Sequence, residues 1–353
     1  MNRTTQGFTL GAMLLLVTGL FVAAWTNPPT AVRAAKAEAL LAAGAMVPQA
    51  RGWVAEEPLP PPGRRQAGRA TYAVLVEAFG QLGYELRAIA EGAAGVPRLF
   101  LAALPHDLAQ VPENAERKAI FFRAVLPLVL QVNEEIKAER AKLLDIRARL
   151  RAPRHVAQGE RRWLAAMAER YETTPGDVDQ LLKRVDTVPV SLALAQAAEE
   201  SGWGSSRFVR EGNALFGQWT TASDGHLVPR ERENGQTHRV AAFDSLLDAT
   251  RAYVRNLNSH RAYREFRDVR AHFRAEGREP DGLDLAGTLG RYSQRGGDYV
   301  RRIRGLIVVN GLHQLDDAAL DERDVRLGDS SPIAFLLRML PFPRTGPSSR
   351  WRL

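Results

Sequence analysis

The chain has 353 residues, of which 45% are hydrophobic and 25% are charged. This composition is ordinary for a soluble protein, and the length allows one domain of about 200 residues with accessory segments. The absence of cysteine excludes a disulfide framework, a thiolate nucleophile and a cysteine metal site. The formal net charge of +8 predicts attraction to nucleic acid, phospholipid head groups or another anionic polymer.

The N-terminus predicts export. An uncharged apolar run extends from Phe8 to Trp25, a length between that of a signal peptide and that of a membrane span. Arg3 predicts that the N-terminus stays inside and that the rest of the chain lies outside the cytoplasm. Small residues at 30–35 offer a cleavage site, but Arg33 fits it poorly, so an uncleaved anchor over 8–25 is favoured. We therefore expect a periplasmic or extracytoplasmic protein, attached to the inner membrane, without a nucleic-acid partner.

The remaining chain divides into segments by composition. Residues 1–26 are the predicted anchor or signal, and 27–68 are a linker rich in proline and alanine. A helical accessory segment follows at 69–109, the main domain occupies 110–315, and 316–353 form a charged tail. The main domain is predicted to be α+β and mainly α, with one small β-hairpin lobe. Its expected elements are helices at Glu113–Leu150, Trp163–Tyr171, Pro175–Val185 and Val188–Ser201, strands within Phe216–Phe243, and helices within Asp244–Leu312.

Three local features set the limits of these predicted helices. Pro127 is expected to kink or divide the first of them. Thr174 and Pro175 are expected to start the third, as a cap and a first-turn proline. Asp298 is expected to cap a helix near residue 300, with Tyr299 in its first turn.

Glu200 is the strongest candidate for a catalytic group. Gly202 is predicted to be a left-handed C-cap, which places Glu200 in the last turn of a helix rich in alanine and leucine. The negative pole of the helix and the apolar neighbours both favour the neutral carboxylic acid, so they predict a raised pKa. Such an acid can protonate a glycosidic oxygen near neutral pH. The alternative is that Glu200 is an ordinary solvated residue; Glu199, about 100° around the helix, is interpreted in that way.

A second pair of carboxylates lies in a predicted hairpin. Asn234-Gly235 is typical of a two-residue type I′ turn, which would pair Glu231 with His238 across the strands. Glu231 and Glu233 would then project from one face, and one of them could reach a cleft. The alternative is that both acids are solvated surface charges.

Several motifs carry a resemblance to a known family. Glu200-Ser-Gly-Trp-Gly204 followed by Asn213-Ala-Leu-Phe-Gly217 resembles the signature of the peptidoglycan endo-β-N-acetylglucosaminidases of glycoside hydrolase family 73. The sequences beginning at Arg117 and Leu126 are similar to its Bax-like branch, and the resemblance covers about 110–315. It implies a lysozyme-like helical lobe beside a β-lobe, and hydrolysis of the GlcNAc-β-1,4-MurNAc bond of cell-wall glycan strands.

The resemblance also assigns roles to residues. It selects Glu231 as the second carboxylate, which activates water or stabilises the oxocarbenium-like state, and Tyr299 as a tyrosine of the catalytic cleft. Without it, Tyr299 would be interpreted as a packing residue. Sugar rings bind to aromatic planes beside polar groups, so substrate binding is assigned to motif residues that would otherwise be core residues. These are Trp203, Asn213, Phe216 and Trp219.

Neither a metal nor a cofactor is expected, because the histidines at 226, 238, 260 and 272 lack compact ligand spacing. Two alternatives remain open for the function. A lytic transglycosylase would end the strand as an anhydro sugar, which the mass of the product distinguishes from hydrolysis. A non-catalytic wall-binding scaffold would be unaffected by Glu200→Gln. Retaining or inverting stereochemistry depends on the distance between the two carboxyl groups and is not predicted.

Overall fold

The computed structural model describes residues 71–113, 115–150, 156–220, 226–227, 239–293 and 295–322, without the side chains of 219, 220 and 226. The predicted anchor at 8–25, the linker at 27–68, the Asn234-Gly235 turn and most of the tail lie outside these residues. Across the described ranges, none of the helices has the length and apolar character needed to cross a bilayer.

The described residues are mainly helical, and three very short strands form one sheet. The helices before the strands are α1 Tyr72–Gln81, α2 Leu86–Ala90, α3 Ala115–Leu150, α4 Gln158–Arg170, α5 Val178–Arg184, α6 Val190–Ser201 and α7 Arg207–Gly212. The strands are β1 Trp219–Thr220, β2 His226–Leu227 and β3 Arg239–Ala241. The helices after them are α8 Leu246–Ser259, α9 Arg264–Ala275, α10 Gly282–Ala286 and α11 Gly297–Val309. Short 3-10 turns occur at Leu108–Gln110, Arg261–Tyr263 and Leu312–Leu315.

Pro127 is predicted to kink or divide its helix, and the division is wrong because α3 runs without interruption from Ala115 to Leu150. Proline removes one backbone hydrogen bond and crowds the preceding turn. Here Pro127 lies among Leu126 and Leu128, both fully buried, in the part of α3 that packs against α6 and α8. The burial of this stretch on all sides outweighs the lost hydrogen bond.

Two helices begin later or with a different cap than expected. The α5 helix begins at Val178, and its cap is Asp177, whose carboxylate accepts a hydrogen bond from the backbone N–H of Gln180 at 2.9 Å. Thr174 is therefore not the cap. The α11 helix begins at Gly297 after Gly296, which has φ of +51°, so Asp298 lies inside the first turn and pairs with Arg301. Glycine reaches this left-handed region without the steric penalty of a side chain.

Helix α6 is at the centre of the core, since every residue from Val190 to Ala198 is buried. Its N-terminus is capped from a distance by Asp316, whose carboxylate accepts hydrogen bonds from the N–H and the hydroxyl of Ser191, both at 2.8 Å. A carboxylate at this end also interacts favourably with the helix dipole. Gly202, with φ of +57°, ends the helix in the predicted left-handed conformation, so Glu200 is confirmed in the last turn.

The strands form a sheet of order β1-β3-β2, and both pairings are antiparallel. A turn at Asn234-Gly235 with an unbroken ladder would pair Leu227 with Ala242. The structure instead pairs Leu227 with Val240. The observed pairing therefore differs by two residues from the register that this turn would set.

One hydrophobic core joins the predicted accessory segment to the main domain. Leu75, Phe79 and Leu99 belong to the same buried cluster as residues of α3, α6 and α11. Val96 also forms a parallel bridge with Leu320, at the start of the predicted tail. Residues on both sides of the predicted boundaries at 110 and 316 therefore share one core.

A buried arginine fixes the segment that leads into α6. Arg270 of α9 is fully buried, and its guanidinium donates to the backbone carbonyls of Lys183, Arg184, Asp186 and Thr187 at 3.0–3.3 Å. The Asp186 carboxylate is also buried and pairs with Arg274 at 3.0 Å. Burial opposes ionisation of Asp186, but Arg270 and its neighbours outweigh it and lower the pKa of this carboxyl. Buried charges require such partners.

We predict that Arg270→Ala lowers the free energy of unfolding by about 3–5 kcal/mol, because four carbonyls each lose a hydrogen-bond donor and Asp186 loses a neighbouring charge. Arg264→Ala, at an exposed position of the same helix, should change it by less than about 0.5 kcal/mol. Chemical denaturation of both variants measures the difference. Equal stability of the two variants would contradict a structural role for Arg270.

Candidate active site around Glu200

Glu200 is partly buried in the last turn of α6, under the loop that follows α7. Gly217 of that loop has φ of +58°, and a Cβ atom at this position would lie 3.3 Å from Oε2 of Glu200. A larger residue would therefore be strained and would crowd the carboxyl. The loop can close over one side of Glu200 because Gly217 has no side chain.

The surroundings of Glu200 favour its neutral form. Burial raises the pKa of the Glu200 carboxyl from 4.5 to about 7, and the charge of Glu199 adds to this increase. The hydroxyl of Tyr299 and the charge of Arg295 act in the opposite direction and lower this pKa. Removal of a carboxylate from water has the larger effect here. Glu200 can therefore hold a proton near neutral pH and still release it.

Glu199 lies between two arginines. Its carboxylate accepts a hydrogen bond from Nε of Arg302, and Nη1 of Arg295 lies 3.9 Å from its other oxygen. The side chain of Glu199 is only 12% exposed, so the interpretation of Glu199 as a solvated neighbour is wrong. Two adjacent carboxyl groups of one helix thus differ in environment, since one faces cations and the other faces tyrosines.

Tyr299 reaches Glu200 from the first turn of α11. Its hydroxyl accepts a hydrogen bond of 2.8 Å from Nε2 of Gln196, and its interaction with the Glu200 carboxyl lowers the pKa of that carboxyl. Oε1 of Gln196 in turn accepts from the hydroxyl of Tyr253 at 2.7 Å. A continuous chain of hydrogen bonds therefore runs from Tyr253 of α8 through Gln196 of α6 to Tyr299 of α11. Tyr299 is 3% exposed, so its hydroxyl acts on the carboxyl and has little surface for a sugar.

Stacked rings hold this chain in place. The rings of Phe216 and Tyr253 are parallel to within 5°, with centroids 3.9 Å apart. Tyr292 stacks on Tyr299 with centroids 5.5 Å apart and an angle of 7°, and its hydroxyl donates to the carbonyl of Phe216 at 3.1 Å. The loop before α11 and the loop after α7 are thereby fixed to each other beside Glu200.

Three of the predicted substrate-binding residues lie in the core. Phe216 is 1% exposed and stacked on Tyr253, so its ring has no free face for a sugar. Trp203 is 7% exposed and packs edgewise against Phe121 and Phe122. Asn213 is buried, and its amide donates to the carbonyls of Phe243 and Asp244 at 3.1 and 3.3 Å. We assign these residues to the support of the site in place of the predicted contacts with substrate.

Trp203 has an unusual backbone conformation. With φ of +58° it lies between Gly202 and Gly204, which also have positive φ. A bulky residue is rarely found in this region, and such strain persists where packing enforces it. A Cβ at Gly204 would lie 2.6 Å from Cδ1 of Leu104, so the turn fits closely against the accessory segment.

The remaining predicted site residues are not placed by the structure. Glu231, Glu233 and His238 lie outside the described residues, and Trp219 is described only as the backbone of β1. The roles of Glu231 and Trp219 stay predictions. Among the described residues, no group of three potential metal ligands occurs.

Four contributors to the site were missed by sequence analysis. They are Gln196, Gly217, Tyr292 and Arg302. Gln196 carried a signal, because it is the single polar residue in the run Leu192–Ala198 and lies one turn before Glu200. Arg302 carried none, since nothing in the sequence indicates that α11 lies beside α6.

Two comparisons with known proteins agree with this geometry. A family model described as "Glucosaminidase: Mannosyl-glycoprotein endo-beta-N-acetylglucosaminidase" matches residues 176–301, which include α6, the loop after α7 and the start of α11. The chain is also 33% identical over 204 residues to "Protein bax" of Escherichia coli strain K12. The aligned region covers 56% of this chain and 71% of that protein. No solved structure matches the chain significantly.

The residues matched by the family model, 176–301, include every residue described above that acts on Glu200. A glucosaminidase domain is a glycoside hydrolase domain, and its substrate is a glycan. The chain therefore belongs to the glucosaminidase family, in the branch that includes the bax protein of Escherichia coli.

Proposed function

We propose that the chain hydrolyses the GlcNAc-β-1,4-MurNAc bond of peptidoglycan, with Glu200 as the general acid. The observation that carries this proposal is the burial of the Glu200 carboxyl beside Tyr299, which raises its pKa to about 7. A carboxylic acid that is half protonated near neutral pH can both donate and recover a proton at that pH.

The proposed reaction begins with transfer of the Glu200 proton to the glycosidic oxygen while the bond to the anomeric carbon breaks. Water then adds its oxygen to that carbon and loses one proton to a second carboxylate, for which Glu231 is our candidate. The hydroxyl of Tyr299 donates to the Glu200 carboxylate as it forms, so the negative charge is stabilised where it develops.

The choice of polymer rests on charge and location. The net charge of +8 suits an anionic cell-wall polymer, and the apolar N-terminal run supports export to the compartment that contains it. We propose that the protein acts outside the cytoplasm and is held at the inner membrane by residues 8–25. Peptidoglycan glycan strands are then its substrate and principal partner.

We predict that Glu200→Gln lowers the rate of release of soluble fragments from purified sacculi by about 10²–10⁴-fold, because glutamine cannot donate the proton. Glu265→Gln, which changes an exposed glutamate at the start of α9, should leave the rate unchanged. Full activity of the Glu200 variant would contradict the proposed role of Glu200 as the acid. Unchanged behaviour of this variant is what a non-catalytic binding scaffold predicts. Mass spectrometry of the fragments should show the addition of water, whereas anhydro ends would identify a lytic transglycosylase.

The pH dependence of hydrolysis should report the environment of Glu200. Activity should fall as the pH rises through about 7, since the acid then loses its proton. In Glu199→Gln this fall should occur at lower pH, because the variant lacks the charge that raises the pKa of Glu200 and frees Arg295 to act on it. Steady-state rates across the pH range measure the change. A fall at unchanged or higher pH would show that Glu199 does not act on the acid.

The proton of Glu200 should make the stability of the protein depend on pH, and Glu200→Gln should remove this dependence. The folded state binds the Glu200 proton more tightly than the unfolded chain, so stability is lost as the pH rises from 4.5 through about 7. Because glutamine carries no charge, the free energy of unfolding of the variant should exceed that of the parent by up to about 3 kcal/mol above neutral pH. Thermal unfolding of both proteins between about pH 5 and pH 9 measures this difference. A difference that stays constant across that range would contradict the raised pKa.

A further inference from the structure

Arg295 is a half-exposed arginine beside the two carboxyl groups at the end of α6. Nη1 of its guanidinium lies 3.9 Å from Oε1 of Glu199, the neighbour of the proposed acid, and 53% of its side chain is exposed. Its positive charge also acts on Glu200, whose pKa it lowers. The guanidinium is therefore close to the acid and accessible to a ligand from solvent.

Arg295 differs from the arginines that follow it in the hydrogen bonds of its guanidinium. The three other arginines of residues 295–304 each donate to an acceptor of this chain. They are Arg301, Arg302 and Arg304, and their acceptors are the side chains of Asp298 and Glu199 and the carbonyl of Leu283. Within the described residues, the guanidinium of Arg295 makes no hydrogen bond, because its distance of 3.9 Å to Glu199 is too long for one. Its donors are therefore open to a ligand.

Positive charge exceeds negative charge in this group of side chains. Glu199 carries one negative charge, and its Oε2 is already bound by Arg302, whose side chain is only 26% exposed. Arg295 adds a second positive charge at the more exposed position. A surplus cation beside the acid attracts an anionic group of a ligand, and the planar guanidinium can bind a carboxylate through two hydrogen bonds.

The backbone around Arg295 is fixed. Its N–H donates to Oγ of Ser293 at 3.3 Å, and its carbonyl accepts from the N–H of Asp298 at 3.1 Å. Gly296, with φ of +51°, then turns the chain into α11, and Tyr292 is held in a ring stack on the other side. A binding group on a fixed backbone keeps its place relative to the acid and loses less freedom when it binds.

The proposed substrate carries an anionic substituent next to the atom that the acid would protonate. In the GlcNAc-β-1,4-MurNAc bond, this atom is the oxygen O4 of MurNAc. The lactyl group that distinguishes MurNAc from GlcNAc is attached to the adjacent carbon, C3. Its carboxyl group is either free or linked to a peptide that has carboxylates of its own. A bond placed for cleavage by Glu200 therefore brings a carboxylate-bearing substituent towards Glu199, whose negative charge would repel it without a cation.

We propose that Arg295 is a specificity-determining residue that binds a carboxylate of the lactyl or lactyl-peptide substituent of MurNAc. This inference rests on the proposed hydrolysis by Glu200. It adds to that function a preference for glycans with an anionic substituent beside the leaving oxygen. A sugar without such a substituent, such as GlcNAc, should gain nothing from Arg295.

The test uses one polymer in two charge states. Glycan strands from sacculi, with and without their peptides, are compared with the same strands after conversion of their carboxyl groups to methylamides. The parent chain should have a kcat/KM about three- to tenfold higher on the carboxylate form, and this preference should weaken as salt is added. Arg295→Gln should lose the preference, and Arg295→Lys should retain part of it, since lysine keeps the charge without the fork of donors.

The comparison separates recognition of the carboxylate from other effects of the substitution. Arg295→Gln also removes a cation that lowers the pKa of Glu200, but this change acts on both forms of the polymer and cancels in the ratio of their kcat/KM values. The matched control is Arg87→Gln, because Arg87 is an exposed arginine on α2 that pairs with Glu91 at 2.8 Å. This variant should keep the preference of the parent.

The result also locates the bound carboxylate. A preference confined to strands that carry peptides places the carboxylate on the peptide. A preference confined to strands without peptides places it on the lactyl group. Equal kcat/KM of the parent on the carboxylate and methylamide forms, or an unchanged preference in Arg295→Gln, would overturn the role of Arg295 while hydrolysis stands.

Failure of the proposed function is recognised separately. If the parent hydrolyses neither form, the proposed hydrolysis is wrong, and the affinity for fluorescently labelled strands, measured by anisotropy, then tests Arg295. Weaker binding of the carboxylate form by Arg295→Gln than by the parent would support the carboxylate site. Equal binding by the two proteins would refute it.

Discussion

The removal of the Glu200 carboxyl from water is the interaction on which the rest of the site depends. A glutamate at the C-terminal end of a helix is exposed to solvent unless other elements cover it. Here the loop after α7 approaches closely because Gly217 has no side chain, and α11 supplies Tyr299, which interacts with the carboxyl. Burial of an ionisable group lowers the stability of the folded protein. Such a loss of stability is expected for a functional group at an active site.

The rigidity of α6 makes this burial possible. Its N-terminus is held by Asp316, its middle is buried on all sides, and its C-terminus is turned by Gly202. The segment before it is fixed by Arg270, a charged residue whose burial is balanced by four backbone carbonyls. A helix fixed at both ends can hold a carboxyl in a constant position beside a tyrosine on another helix. Such positioning is what general acid catalysis requires.

Sequence reasoning placed Glu200 correctly in the last turn of α6 but misjudged its surroundings, for identifiable physical reasons. Local signals such as Gly202 and the apolar spacing of α6 are encoded within one element, so the last-turn position of Glu200 could be predicted. The burial of Phe216 could not, because an aromatic ring suits a sugar platform and a core equally well until its partner Tyr253 is known. The ion pair of Glu199 could not be predicted either, because its partner Arg302 lies on α11, far away in the sequence. The second carboxylate remains a prediction from sequence, since Glu231 lies outside the described residues.

The different treatment of the two adjacent glutamates explains how one helix can supply an acid near neutral pH. Glu199 pairs with Arg302 and lies near Arg295, and its charge raises the pKa of Glu200. Glu200 faces tyrosines, whose own pKa values burial raises well above the usual range, so they remain neutral donors. The 100° rotation between successive helix residues is what sends one carboxyl to the cations and the other to the phenols. The pKa of Glu200 is therefore set by the neighbours on two faces of α6, and an exchange of glutamate for a neutral residue at 199 would alter it without any contact with the substrate.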